Sequence, residues 1–117
     1  MEQLLTSVKQ RDIFIVPFPF SNHQEKKRRP ALVLSSASFN HSSDDVIVCA
    51  ITSNIDKHLY GVRVTSADLE EGFFPRESII KPENMVYLEK ILLLKKVGTL
   101  RKENFEKVLS KIHDLFW

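Results

Sequence analysis

The stretch "KKRRPALVLSS", Lys26–Ser36, decides how the rest of the chain is read. Four consecutive cations run into a proline, and a short apolar run follows. "ALVLSS" (31–36) has the length of a buried strand. The proline ring fixes φ at position 30 and biases Arg29 toward extended backbone. Arg29 is therefore the cation held at the mouth of a rigid strand, while Lys26, Lys27 and Arg28 fall in a polar loop, "SNHQEKKRRP" (21–30). A guanidinium fixed this way presents a planar, two-pronged donor to a phosphate, and the neighbouring cations add diffuse attraction. The competing reading is a solvated basic turn.

Working outward, "DIFIVPFPF" (12–20) reads as a strand that Pro17 and Pro19 end at an edge or in a loop. "VIVCAITS" (46–53) is a second buried strand, joined to the first apolar run by a loop, "SASFNHSSDD" (36–45). "YGVRVTS" (60–66) alternates as a half-exposed strand does, "GFFPRE" turns the chain, and "SIIKPENMVYL" (78–88) resumes strand character with a break at Pro82. "LLKKVGTL" supplies one more strand. From Lys102 the period changes: Phe105, Val108, Leu109, Ile112, Leu115 and Phe116 form one apolar stripe of a helix. These signals predict a mainly β fold of five to seven short strands in a small, strongly bent barrel with a C-terminal amphipathic helix over 102–117. Residues 1–10 are a short lead-in, and the 117 residues make a single domain.

Charge narrows the function classes. Lys and Arg total 17 against 15 acidic residues, a net +2, so any attraction for an anion must be local. The one cysteine, Cys49, lies in an apolar run and reads as a buried thiol. No signal-peptide core and no apolar run of about 20 residues is present, so a cytoplasmic protein without a membrane segment is expected. The histidines are scattered, no glycine-rich phosphate loop or nucleophile elbow occurs, and neither a metal nor a cofactor is expected.

Three further elements carry polar chemistry. Thr52 and Ser53 end a buried strand, where their hydroxyls either project into a cleft or cap a local turn. Lys81 and Glu83 flank Pro82; in an extended segment they share a side, as an acid and a base or as a surface ion pair. Phe18 and Phe20, in the proline-broken end of the first strand, either stack unpaired bases or fill the core.

In this order and spacing, "DIFIVPFPF", "KRRPALVLS", "VIVCAITS", "SIIKPENM" and "KKVGTL" before a terminal helix resemble the MazF/PemK family of toxins from type II toxin–antitoxin modules. The resemblance runs from about Asp12 to the last helix. It implies an SH3-like barrel, usually a homodimer, that cuts single-stranded RNA without metal and leaves 2′,3′-cyclic phosphate and 5′-hydroxyl ends. It also implies a cognate antitoxin that lays an extended acidic segment across the RNA groove. The family's arginine before proline matches Arg29, and the threonine of its I-T-S strand end matches Thr52. An arginine and an aspartate that act in some members fall at Lys81 and Glu83. Lysine keeps the charge at 81 and loses the planar fork, and Glu83 keeps the carboxylate on a longer arm. The glycine that often precedes the first strand's aspartate is Arg11 here, a change expected to touch only a turn.

The implied site is thus Arg29, Thr52, Lys81 and Glu83 around one phosphodiester, with Lys26, Lys27, Arg28, Ser53, Phe18 and Phe20 along the RNA. Two other readings fit a barrel of this kind. One is a toxin that poisons DNA gyrase through its C-terminal helix, for which "KIHDLFW" with Trp117 is the candidate surface. The other is an RNA-binding barrel that has lost its acid or base.

Overall fold

A computed structural model describes residues 7–18, 27–56 and 59–117. Seven antiparallel strands form one sheet: β1 (Asp12–Phe18), β2 (Lys27–Val33), β3 (Asp45–Thr52), β4 (Val62–Val64), β5 (Leu69–Gly72), β6 (Ser78–Glu89) and β7 (Lys95–Leu100). Their spatial order is β4-β6-β3-β2-β1-β7-β5, and the sheet curls into a half-barrel. A short helix, α1 (Ala37–Ser42), precedes β3, and α2 (Lys102–Asp114) ends the chain.

Period-two alternation explains why both faces of the central strands are apolar. Ile13, Leu32, Cys49, Ile51, Ile80 and Leu100 point to one face, where Phe105 and Val108 of α2 close over them. Val16, Phe18, Ala31, Val33, Val46, Val48 and Ala50 fill a second cluster on the opposite face. The α2 stripe works as the sequence predicts: Phe105 and Val108 are buried and Ile112 packs against the same cluster. Truncating Phe105 to Ala would cost about 3–5 kcal/mol.

Two boundaries differ from the sequence reading. The polar stretch before Pro30 is not all loop, because Lys27, Arg28 and Arg29 pair with Phe18, Pro17 and Val16 of β1. Proline fits there because the β2–β3 ladder starts only at Ala31↔Ala50, so over Lys27–Pro30 the strand is paired on the β1 side. The 36–45 segment contains α1. Ser36 caps that helix by accepting from Phe39 N (3.2 Å), and the buried Asn40 side chain bonds with Ser35. Lys90, buried at the β6–β7 turn, donates its ammonium to the Asn40 carbonyl.

β5, "LEEG", has no strand propensity of its own. It is held by β7 through a close crossing of Gly72 and Gly98. A Cβ on Gly72 would lie 2.2 Å from the Val97 carbonyl oxygen, and φ there is +102°. A Cβ on Gly98 would lie 2.5 Å from the Glu71 carbonyl oxygen. Neither position can take a side chain without separating the strands. Arg11 is the described non-glycine residue with positive φ, at 82°. Its guanidinium anchors that turn on the Leu100 carbonyl (2.8 Å) and Glu70 (2.9 Å).

Candidate nucleic-acid interface

The register of three strands brings the basic run to the end of β3. Ala31 faces Ala50, and Ala50 faces Lys81. The β2–β3 ladder ends at Ala31↔Ala50, with Arg29 two residues before Ala31 and Thr52 two residues after Ala50. By alternation Arg29 and Thr52 share the face of Ala31 and Ala50, and Lys81, paired with Ala50, lies on that face too. Arg29 is half-buried with its Nε below the surface, Thr52 and Lys81 are half-buried, and Lys27 is exposed. The Thr52 hydroxyl accepts from Asn54 N (3.1 Å), which closes the turn after β3. An oxygen used this way still has a proton to donate, so capping and ligand binding are compatible.

Alternation sends Arg28 and Ser53 to the other face. There they join a cavity of about 780 Å³, bordered by Arg29 and Pro30 of β2, Ile15 of β1, Ile51 of β3, the Gly72–Arg76 segment, Ser78, and Lys95, Lys96 and Val97 of β7. Five cations and no carboxylate border it. One is already matched: Lys96 lies 3.4 Å from both Asp12 and Glu71. Arg28, Arg76 and Lys95 are exposed and form no ion pair among the described residues. Phe73 borders the same cavity at 67% exposure.

Several sequence expectations change here. The β3–β6 pairing jumps from Cys49↔Met85 to Ala50↔Lys81, so Pro82, Glu83 and Asn84 form a bulge. A bulge breaks two-residue alternation, and the argument that Lys81 and Glu83 share a side because both are extended does not hold. Lys81 is half-buried in the ladder; Glu83 is exposed on the bulge. Glu83 nevertheless lies near Cys49, whose thiol is pushed up first by burial and then by that carboxylate. Phe18 is corrected outright. It is 1% exposed in the second core cluster, on the same face as Val16, and cannot stack a base. Lys26 and Phe20 lie outside the described residues. Phe73, Arg76 and Lys95 were not singled out from sequence; "GFFPRE" reads as a turn, and its paired phenylalanines beside an arginine were the available signal.

A family model for the PemK-like, MazF-like toxins of type II toxin–antitoxin systems matches residues 9–116. The chain belongs to that family. This PemK/MazF-like toxin is similar in fold to the toxin MazF-mt6 of Mycobacterium tuberculosis, with 23% identity, 91% of this chain and 96% of that chain covered, and a TM-score of 0.73. MazF from Deinococcus radiodurans gives 21% identity, coverage of 92% and 94%, and a TM-score of 0.72. An endoribonuclease solved in complex with its cognate antitoxin, from a mycobacterial species, gives 15% identity, coverage of 92% and 91%, and a TM-score of 0.69. No curated protein sequence matches the chain. In this toxin no described helix is long and apolar enough to cross a membrane.

Proposed function

We propose that this toxin is an endoribonuclease that cuts single-stranded RNA by in-line transesterification. The observation that supports the reading is a cavity bordered by five cations, Arg29 among them, at the open end of the β2–β3 ladder, with Thr52 ending the neighbouring strand. RNA brings its own nucleophile, so the reaction balances without a metal or an outside reagent. The 2′-oxygen attacks phosphorus, the P–O5′ bond breaks, and a 2′,3′-cyclic phosphate and a 5′-hydroxyl result.

The chain's residues divide the work. Glu83 takes the 2′-hydroxyl proton. Arg29 stabilises charge that builds on the non-bridging oxygens, for which its fixed planar fork is suited. Thr52 donates its proton to the phosphate, and Ser53 holds the next part of the strand. Lys81 places positive charge beside the leaving 5′-oxygen, which takes up a proton from solvent as its bond to phosphorus breaks. Lys26, Lys27 and Arg28 draw in the backbone by neutralising phosphates. A homodimer is the proposed working form, and the proposed inhibitor is an antitoxin whose extended acidic segment covers the same cations.

The test is direct. In excess EDTA the purified protein is expected to cut a mixed-sequence single-stranded RNA to cyclic-phosphate ends. RNA left intact across many sequences would refute the nuclease reading. Salt-sensitive binding without product would identify an RNA-binding barrel instead. Loss of gyrase supercoiling with RNA untouched would identify the protein-poisoning class.

A further inference from the structure

We propose that the cavity between the start of β2, the Gly72–Ser78 segment and β7 receives one unstacked nucleotide of the RNA strand, with Phe73 stacking on its base. This rests on the endoribonuclease reading and extends it from the cut phosphate to recognition of sequence. Four features of the cavity select that ligand over others.

Size comes first. About 780 Å³ lies within the range of pockets that enclose a small organic group, and it exceeds what a bare phosphate needs. The second feature is the division of its lining: Ile15, Ile51, Phe74 and Val97 are apolar, while Arg28, Arg76 and Lys95 supply charge. A flat ring carrying phosphates on either side satisfies both; a wholly apolar ligand leaves the cations unmatched, and a cation matches neither part. The third is Phe73. A phenyl ring left 67% exposed at a cavity edge is a stacking platform for any base. The residue before it is anchored, because Gly72 pairs with Gly98 so closely that no side chain fits between the strands.

The fourth feature is position. Ser53 borders the cavity, and the adjacent Thr52 belongs to the opposite face with Arg29. A strand crossing the end of β3 would set one phosphate at Thr52 and Arg29 and drop a neighbouring base toward Ser53 and Phe73. Phe73 is thus a specificity residue of the same reaction and Arg76 an affinity residue, both separate from the groups that act on the phosphate.

The experiment uses the full chain and a randomised single-stranded RNA library, with cut ends mapped by sequencing. Affinity is read separately on 2′-O-methyl oligonucleotides of the most-cut sequence, which cannot react. Phe73→Ala is expected to weaken binding by about 5- to 150-fold, the range for losing one base–aromatic stack. It should also flatten the base preference at one position near the cut, and Phe73→Trp should restore both. Arg76→Ala should weaken binding and lower its salt dependence without moving the preferred base. The melting temperature of each variant confirms folding, which the exposure of both side chains favours. If wild type cuts RNA and Phe73→Ala cuts the same sequences at the same rate, the pocket assignment is overturned and the nuclease reading stands. If the variants keep the cleavage profile but escape the antitoxin, the cavity holds a protein segment, and the assignment is likewise overturned. If wild type neither binds nor cuts any RNA, both readings fall together.

Discussion

The two ladders that meet at the site differ in regularity. β1 and β2 pair without a shift from Ile13↔Leu32 to Phe18↔Lys27. β3 and β6 pair from Asp45↔Glu89 to Cys49↔Met85, skip Pro82, Glu83 and Asn84, and resume at Ala50↔Lys81. The first ladder presents cations at fixed intervals on alternate faces. The second expels a carboxylate from the pleat, as bulges do when they re-aim a side chain. A phosphate needs positive charge at set distances, while a base must reach a proton at an angle that no regular strand supplies. On the proposed endoribonuclease reading, electrostatic work falls to the regular ladder and proton transfer to the bulge.

The largest effect expected is on the regular side. Arg29→Ala should lower the cleavage rate by about 10²–10³, the loss typical of one preorganised donor. Arg29→Lys should recover little of it, because the ammonium lacks the fork. Normal cleavage by Arg29→Ala would break the comparison at its centre. On the bulge, Glu83→Gln should slow the chemical step by about 10² with binding of uncleavable RNA unchanged. An equal loss in binding would move Glu83 from proton transfer to positioning.

Next comes salt. Replacing both Lys27 and Arg28 by Ala should flatten the slope of log binding constant against log salt by about 1.4, or about 0.7 per phosphate contact on a single strand. An unchanged slope would mean that the phosphates lie elsewhere. Cys49, at the last pair before the bulge, then reports on stability. Burial, helped by the Glu83 charge, keeps its thiol protonated in the folded protein well above the ordinary value. The unfolded thiol ionises near pH 9, so the folded state holds the extra proton and stability falls as pH rises above that point. At pH 10 the loss attributable to this group is about 1.4 kcal/mol. Urea melts of wild type against Cys49→Ala at pH 7 and pH 10 should show that extra decline in wild type alone. The smallest effect is Arg11→Gly. Relief of the positive φ offsets the lost bonds to Leu100 and Glu70, leaving a change within about 0.5 kcal/mol.

The strands that sequence reveals are those with apolar or alternating runs: β1, β3, β4, β6 and β7, together with the stripe of α2. β2 was legible only from Ala31 onward, since Lys27–Arg29 have the composition of a loop and become strand through pairing with β1. β5 was illegible for a related reason; "LEEG" is extended because β7 holds it. α1 depends on Asn40, whose partners Ser35 and Lys90 are distant in kind or in sequence. At the site, Arg29 stood out because proline marks its backbone. Glu83 could be named but not aimed, because a three-residue shift in pairing leaves no trace in a single strand's pattern. Phe73 was hidden by its neighbours, which read as a turn.

The crossing of Gly72 and Gly98 also divides the chain's tolerance for change. Any side chain at 72 or 98 would meet backbone within 2.5 Å. Just beyond, the side chains of Phe73, Pro75 and Arg76 are exposed, while the Ser66 and Ser78 hydroxyls hold the backbone at Phe74 and Arg76. A fixed post thus stands directly beside exposed side chains that can change at small energetic cost. A lineage of such proteins could diversify what it reads through those few codons while the barrel beneath them stayed the same.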